Sequence, residues 1–329
     1  MNPMKKATHH VWVGFKYWLY RGTGLLAAKL PVRFGYFVGN LIGDFIYFTW
    51  KRHAANAVSN MRRVLGKDAS WQLVKETARD SFRNYAKTLV DFLRFPYQSA
   101  EDIHKIISTP DGMENLEAGF KRGKGIIAIT AHFGNWDLAG ATLAVQGMPL
   151  NAVADTFQPQ KMDDLINGTR KRQGMNIIKM ETNSLKEIFM ALRRNEIVFL
   201  LFDRPDPNEG VPVQFFGETA YIPGGPAALA LKTRATVIIG YGVRKPGNKT
   251  FRAVAEPPVE YEHLLTGDKE RDIQIITQEI VRRMEMVIRR NPDQWYMFRE
   301  MWPRTARHNA EVRKRRFWGG GDDVRVGSW

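Results

Sequence analysis

Ile126-Ile127-Ala128-Ile129-Thr130-Ala131-His132-Phe133-Gly134-Asn135-Trp136-Asp137 reads as a buried strand, a turn and the start of a helix. The run from Ile126 to Ala131 lacks the alternation of a half-exposed strand, so both of its faces should be covered. Ala139, Gly140, Ala141 and Ala144 then predict a helix packed closely on that strand. In open α/β sheets ligands sit in the crevice beyond the carboxyl ends of the strands. This reading delivers His132 there, with Asp137 five positions on. The spacing alone is weak. With seven histidines and an acidic residue at any fixed offset about one time in ten, about one such pair arises by accident. His263 and Asp268 are such a pair, but they lie in the polar stretch Glu260-Tyr261-Glu262-His263-Leu264-Leu265-Thr266-Gly267-Asp268 with no apolar strand before it. That stretch reads as a surface loop.

Outward from this unit the pattern alternates. Upstream, the apolar spacing predicts a long helix over 68–94 and a short one over 113–121, followed by the turn Gly123-Lys124-Gly125. Downstream come a strand near 150–154, helices near 158–172 and 184–194, and a strand 197–202. After extended residues 211–216, the turn Ile222-Pro223-Gly224-Gly225-Pro226 opens a helix to about Thr233. Strands near 236–243 and 251–255 and a basic helix 269–290 complete the series. Such alternation predicts the α/β class, a single domain with a mixed central sheet flanked by helices. The chemistry would reside in residues 51–303, preceded by membrane-interface helices in 1–50 and followed by a basic, disordered tail, 304–329. Asp203 and Arg204 end the strand 197–202 and begin a Pro- and Gly-containing loop, so a second polar loop opens at the same edge as His132.

The chain has 329 residues, with 49 Lys and Arg against 34 Asp and Glu, a formal charge of +15. That balance favours an anionic partner: nucleic acid, an acidic membrane surface or a phosphorylated substrate. The basic residues are scattered or terminal and form no recognition motif, which speaks against nucleic acid. No cysteine occurs, excluding disulfides, thiolate nucleophiles and cysteine metal sites. Near the N-terminus Trp12, Phe15, Tyr17, Trp18 and Tyr20, interspersed with Lys16 and Arg21, suit the headgroup boundary of a bilayer. The apolar run from Phe34 to Trp50 contains Asn40 and Asp44, too polar for a span. Gly35, Gly39 and Gly43 recur every fourth residue within it and would let another backbone approach closely.

A neutral histidine takes a proton from an alcohol near pH 7, and a carboxylate on its other ring nitrogen fixes the tautomer. His132 and Asp137 fit those two roles. The helix start at Gly134 and Asn135 offers backbone N–H groups for an oxyanion or phosphate. No Gly-x-Ser-x-Gly elbow is present, so attack would come from a substrate hydroxyl directly. No metal-binding spacing, P-loop or dinucleotide fingerprint occurs, and no cofactor is expected.

In this order, His132-Phe133-Gly134-Asn135-Trp136-Asp137, Gly217 after Phe215-Phe216, Pro223-Gly224-Gly225-Pro226 and Pro292-Asp293-Gln294-Trp295-Tyr296 resemble the bacterial lipid A biosynthesis (lauroyl/myristoyl) acyltransferases. That family includes the phosphatidylinositol mannoside acyltransferases. The resemblance implies a glycerolipid-acyltransferase-like fold at the cytoplasmic face of the bacterial inner membrane, monotopic or peripheral. It implies transfer of a fatty acyl group from acyl-CoA or acyl carrier protein to a glycolipid or phospholipid hydroxyl through the His132-x4-Asp137 dyad. It also implies that Asp203 and Arg204 flank the catalytic cleft. Asn135, Arg170 and Glu218 are further candidates for substrate contacts, and Arg204 for a phosphate of donor or acceptor. The lipid A branch usually carries Glu in place of Asp137, Tyr-Arg in place of Ala154-Asp155 and Asp-Gln in place of Asp203-Arg204, so this chain looks closer to the phosphatidylinositol mannoside branch. A late lipid A acyltransferase and a non-enzymatic membrane-binding protein are the alternatives.

Overall fold

The computed structural model describes residues 17–302 apart from 108–109, 207–209 and 248–249. Trp12, Phe15 and Lys16 of the expected anchor, and the basic tail 304–329, lie outside the described residues. Eleven helices follow in chain order among the described residues: α1 (17–29), α2 (Val32–Thr49), α3 (Lys51–Leu65), α4 (Trp71–Arg94), α5 (Ala100–Ile106), α6 (Met113–Lys121), α7 (Trp136–Val145), α8 (Gln160–Arg172), α9 (Ser184–Arg193), α10 (Gly225–Thr233) and α11 (Lys269–Arg290). The strands are β1 (Ile126–Thr130), β2 (Leu150–Ala154), β3 (Asn176–Lys179), β4 (Ile197–Leu201), β5 (Val211–Phe215), β6 (Glu218–Ile222), β7 (Thr236–Arg244) and β8 (Phe251–Ala255).

Six strands form one sheet in the order β3-β2-β4-β1-β7-β8, parallel except for β8, which pairs antiparallel with β7. The expected mixed sheet with flanking helices is therefore present. Every residue of β1 is buried, and successive side chains enter opposite layers. Ile127 and Ile129 pack with Val198, Val237, Ile239 and the apolar faces of α9, α10 and α11. Ile126 and Ala128 pack with Phe199 and Ile238 under α5, α6 and α7. β1 is thus the middle of a three-layer core, and its carboxyl end is held on both sides. β5 and β6 form a separate hairpin, where the sequence predicts extended residues 211–216 before the turn at 222–226. Phe216 and Gly217, with φ of 50° and 79°, provide the left-handed pair that a two-residue hairpin turn needs.

The glycine stripe of α2 lies on α4. A methyl group on Gly43 would sit 2.6 Å from the Arg83 Cα, and one on Gly35 would sit 2.9 Å from Val90 Cγ1. Asp44, beside this seam, accepts paired hydrogen bonds from Arg79 (2.7 and 2.7 Å) and Arg83 (2.7 and 2.8 Å). Those bonds, Arg79's first, hold its carboxyl well below the ordinary range despite partial burial. Gly43→Ala is expected to lower stability by about 1–3 kcal/mol, as overpacking against fixed backbone does, read as a drop in melting temperature.

The face of α2 opposite the glycines is apolar and open. Phe34, Phe37, Leu41, Phe45 and Phe48 recur at three- and four-residue spacing and are each more than half exposed, Phe45 by 67%. Trp18, Leu19, Leu25 and Leu26 of α1 are also exposed. No helix among the described residues is long and apolar enough to cross a membrane.

Candidate active site

The parallel register of β1 and β4 decides what meets His132. Thr130 is opposite Leu201, and Phe202 N–H donates to Thr130 O (3.1 Å) as both strands end. Two residues further on, His132 and Asp203 stand side by side. Asp203 Oδ1 lies 2.7 Å from His132 Nδ1 and accepts the His132 backbone N–H at 3.0 Å. Oδ2 accepts Trp295 Nε1–H at 2.8 Å. The Asp203 side chain is fully enclosed. Burial alone would push its carboxyl up, but His132, Trp295 and the backbone N–H together hold it below the usual value. An ionised carboxylate only accepts, so in the neutral imidazole the proton sits on Nδ1. Nε2 has no partner among the described residues, and the His132 side chain is 16% exposed.

Trp136 meets the His132 ring edge-on at 5.5 Å. Trp136, Tyr296, Tyr85 and Phe298 continue from it as a chain of ring contacts. The imidazole therefore emerges beside an apolar wall, where a proton acceptor is poorly solvated and its field is little screened.

The turn after His132 is bonded from every side. Tyr296 N–H donates to His132 O (2.8 Å), Gly134 N–H to Gln294 O (2.9 Å) and Asn135 N–H to Gly242 O (2.8 Å). Thr88 Oγ1 donates to Gly134 O at 3.2 Å. Gly134 has φ +58°, and a Cβ there would lie 1.9 Å from Gly242 O, so only glycine fits. These bonds correct one expectation: the N–H groups of Gly134 and Asn135 are already spent on carbonyls and do not await an oxyanion. Asn135 itself is buried. Its amide oxygen caps α7 by accepting Leu138 N–H (3.0 Å), and its amide nitrogen donates to Asp91 (3.3 Å), so it holds the start of the helix. Asp91 also accepts from Arg244 Nη2 (2.6 Å) and Tyr36 OH (2.5 Å). This buried hub tying α2, α4 and β7 to the turn carried no local signal in the sequence.

Asp137 also departs from expectation. The carboxylate on the His132 ring is Asp203, and Asp137 instead accepts Arg170 Nε at 2.7 Å and Nη2 at 3.4 Å. The helix turn explains it. Trp136, the first residue of α7, faces His132, and the next residue is rotated by about 100°, which turns Asp137 toward α8. Arg170 also donates to Asn167 at 2.9 Å and lies over the Phe92 ring. Burial would favour loss of its proton, but Asp137 overrides this and raises its pKa. Tyr20 of α1 sits beside the pair, its phenol pushed up by burial and then by Asp137. Arg170 thus braces α7 against α8. Glu218 is ion-paired with Arg63 at 2.8 Å on the β5–β6 hairpin. Arg204 is exposed, directly after Asp203. His263 and Asp268 are exposed, and Asp268 caps α11. No group of three or more His, Asp or Glu among the described residues is placed to hold a metal.

A mainly parallel sheet with a histidine at a strand end, a buried carboxylate on its Nδ1 and an unengaged Nε2 has the parts a general base needs. Residues 2–304 match the family described as bacterial lipid A biosynthesis acyltransferase, and the chain belongs to that family. Its general activity is acyl transfer in lipid modification. It is similar to a phosphatidylinositol mannoside acyltransferase of Mycolicibacterium smegmatis, with 26% identity over 246 residues, 74% of this chain and 77% of the relative. Two proteins of the same name from Mycobacterium tuberculosis are 26% identical over 253 residues, 74% of this chain and 75% of each relative.

Proposed function

We propose that this protein transfers a fatty acyl group from acyl-CoA or acyl carrier protein to a hydroxyl of a phosphatidylinositol-mannoside-like glycolipid, with His132 as the general base and Asp203 as its carboxylate partner. The observation that carries the reading is the 2.7 Å contact of Asp203 with Nδ1, which leaves Nε2 to face the substrate. As the acceptor oxygen attacks the thioester carbonyl, its proton passes to Nε2 and an O–C bond forms. The tetrahedral oxyanion then collapses, the C–S bond breaks, and the imidazolium returns the proton to the departing thiolate. Asp203 stabilises the imidazolium between the two transfers. The names of the similar proteins favour a mannoside acceptor over a lipid A acceptor. Incubation with a labelled acyl thioester and a total lipid extract, with products identified by mass spectrometry, tests this. An acylated mannoside is the expected product; acyl product on a lipid A precursor alone would assign the other acceptor, and none on any lipid would refute the reading.

The same reading puts the protein on the cytoplasmic surface of the bacterial inner membrane, where such thioesters are found. The exposed stripe of α2, flanked by the exposed Arg33, Lys51 and Arg52, supports this, because apolar side chains enter the interface while cations meet anionic headgroups. The double variant Phe37→Glu, Phe45→Glu is expected to bind anionic vesicles at least about tenfold more weakly, since burying each phenylalanine contributes roughly 1.5–3 kcal/mol. Vesicle co-sedimentation reads this, and unchanged partitioning would place the contact elsewhere.

A further inference from the structure

We infer that Trp295 is a positioning residue of this site: its indole N–H holds the Asp203 carboxylate through the oxygen that His132 does not use, and so keeps it ionised and turned toward Nδ1. The inference deepens the acyl-transfer reading above and rests on it for the effect on turnover. It gives a chemical task to the stretch Pro292-Asp293-Gln294-Trp295-Tyr296, which carries part of the family resemblance. The two Asp203 oxygens are served by different residues. Oδ1 meets His132 Nδ1 at 2.7 Å and accepts the His132 backbone N–H at 3.0 Å. Oδ2 accepts Trp295 Nε1–H at 2.8 Å, its one hydrogen bond among the described residues. Trp295 is placed there because the backbone around it is stitched to the turn of His132. An antiparallel bridge joins Phe133 to Trp295, Gly134 N–H donates to Gln294 O, and Tyr296 N–H donates to His132 O. The Gln294 side chain in turn accepts Arg244 N–H at 2.8 Å and donates to Arg244 O at 3.0 Å. The indole is fully buried, with the Phe215, Phe216 and Trp302 rings at 5.8, 6.1 and 6.5 Å. One backbone pairing thus sets the histidine and the indole on the two oxygens of a single carboxylate.

Enclosure of Asp203 favours its neutral acid, and His132 and then Trp295 act against that burial. An indole N–H donates and cannot accept, so a proton on Oδ2 would leave it without a partner. The contact therefore favours the ionised carboxylate. Without the N–H, Oδ2 takes up a proton, or the carboxylate turns about its Cβ–Cγ bond toward another donor. Either change weakens the bond to Nδ1–H and takes a full negative charge away from the imidazolium that forms during transfer. Trp295 thus acts on the reaction only through Asp203. Trp302 provides an internal comparison. Its indole belongs to the same ring cluster, but its Nε1–H donates to a backbone carbonyl, Phe215 O, at 3.2 Å.

Trp295→Phe, Trp302→Phe and replacement of Trp295 by benzothienylalanine, which keeps the two-ring shape with sulfur in place of N–H, test this in the full chain on anionic vesicles. With acyl-CoA and a phosphatidylinositol mannoside as substrates, loss of the Trp295 N–H is expected to lower kcat by about ten- to hundredfold, the typical effect of losing a hydrogen bond to a charged group. KM should change little, because the indole does not touch substrate. In proton and nitrogen-15 NMR at neutral pH, the hydrogen-bonded His132 Nδ1 proton should move upfield or disappear in both Trp295 variants and keep its place in Trp302→Phe. The benzothienylalanine variant supplies the result if Trp295→Phe does not fold. A His132 Nδ1 proton at its wild-type position in a folded Trp295 variant overturns the inference, and so does an equal displacement in Trp302→Phe. Absence of acyl transfer by the wild type would refute the enzymatic reading instead, and the Nδ1 proton still decides whether Trp295 positions Asp203.

Discussion

His132→Ala is expected to lower acyl transfer by about 10²–10⁴-fold, the usual contribution of a positioned general base. The loss should appear in kcat, because the imidazole works as the hydroxyl proton leaves and contributes little to holding the ground state. Stability should fall moderately, because the enclosed Asp203 carboxylate loses the imidazole and keeps only Trp295 and a backbone N–H, so kcat is read on the folded fraction. The fold should persist, since the His132 side chain is partly exposed and the turn that carries it is held through backbone groups, Tyr296 on its carbonyl and Asp203 on its N–H. His263→Ala is the control, since it has the same offset to an aspartate yet lies exposed on a surface loop. Its turnover should stay at the wild-type level. Full turnover in a folded His132→Ala variant would remove the base from the mechanism.

Asp203→Asn should be comparably severe, a fall of up to about 10⁴-fold, with the shape of the site kept. An amide in place of the carboxylate favours the tautomer with its proton on Nε2, the wrong nitrogen for a base, and it cannot stabilise the imidazolium. Asp137→Asn should behave differently despite the shorter distance in sequence. Its carboxylate serves Arg170, so neutralising it leaves a largely enclosed guanidinium with a weaker partner. The expected result is a stability loss of about 1–3 kcal/mol, with turnover of the folded fraction reduced far less than in Asp203→Asn. Melting curves alongside kcat measurements separate the two aspartates. Equal losses of kcat at unchanged stability would contradict their assignment.

The contrast between these aspartates shows what was legible in the chain. The unbroken apolar run of β1 and the glycine after His132 identified the strand, its carboxyl end and the histidine, because those signals are local. The polar stop at Asp203 was equally plain. Which carboxylate reaches the ring depends on the register between β1 and β4, and strands separated by some seventy residues leave no trace of register in either segment. The pairing of Asp91 with Arg244, Tyr36 and Asn135 is hidden for the same reason. α3 was readable in principle, since Ala54, Ala57, Met61 and Val64 are its buried stripe, but small alanines made the period faint. In α2 the glycine repeat correctly marked a close helix contact. The aromatic stripe on the other side is what remains once that face is covered, and it is the one part of α2 available to a bilayer.

Nitrogen-15 NMR of the histidine rings tests the central pairing most directly, with the His132 signals assigned by their loss in His132→Ala. At neutral pH the wild type should show Nδ1 protonated, with its proton shifted downfield by the Asp203 hydrogen bond, and Nε2 unprotonated. Asp203→Asn should abolish that pattern and Asp137→Asn should preserve it. A His132 tautomer that is indifferent to Asp203→Asn but changes with Asp137→Asn would contradict the account.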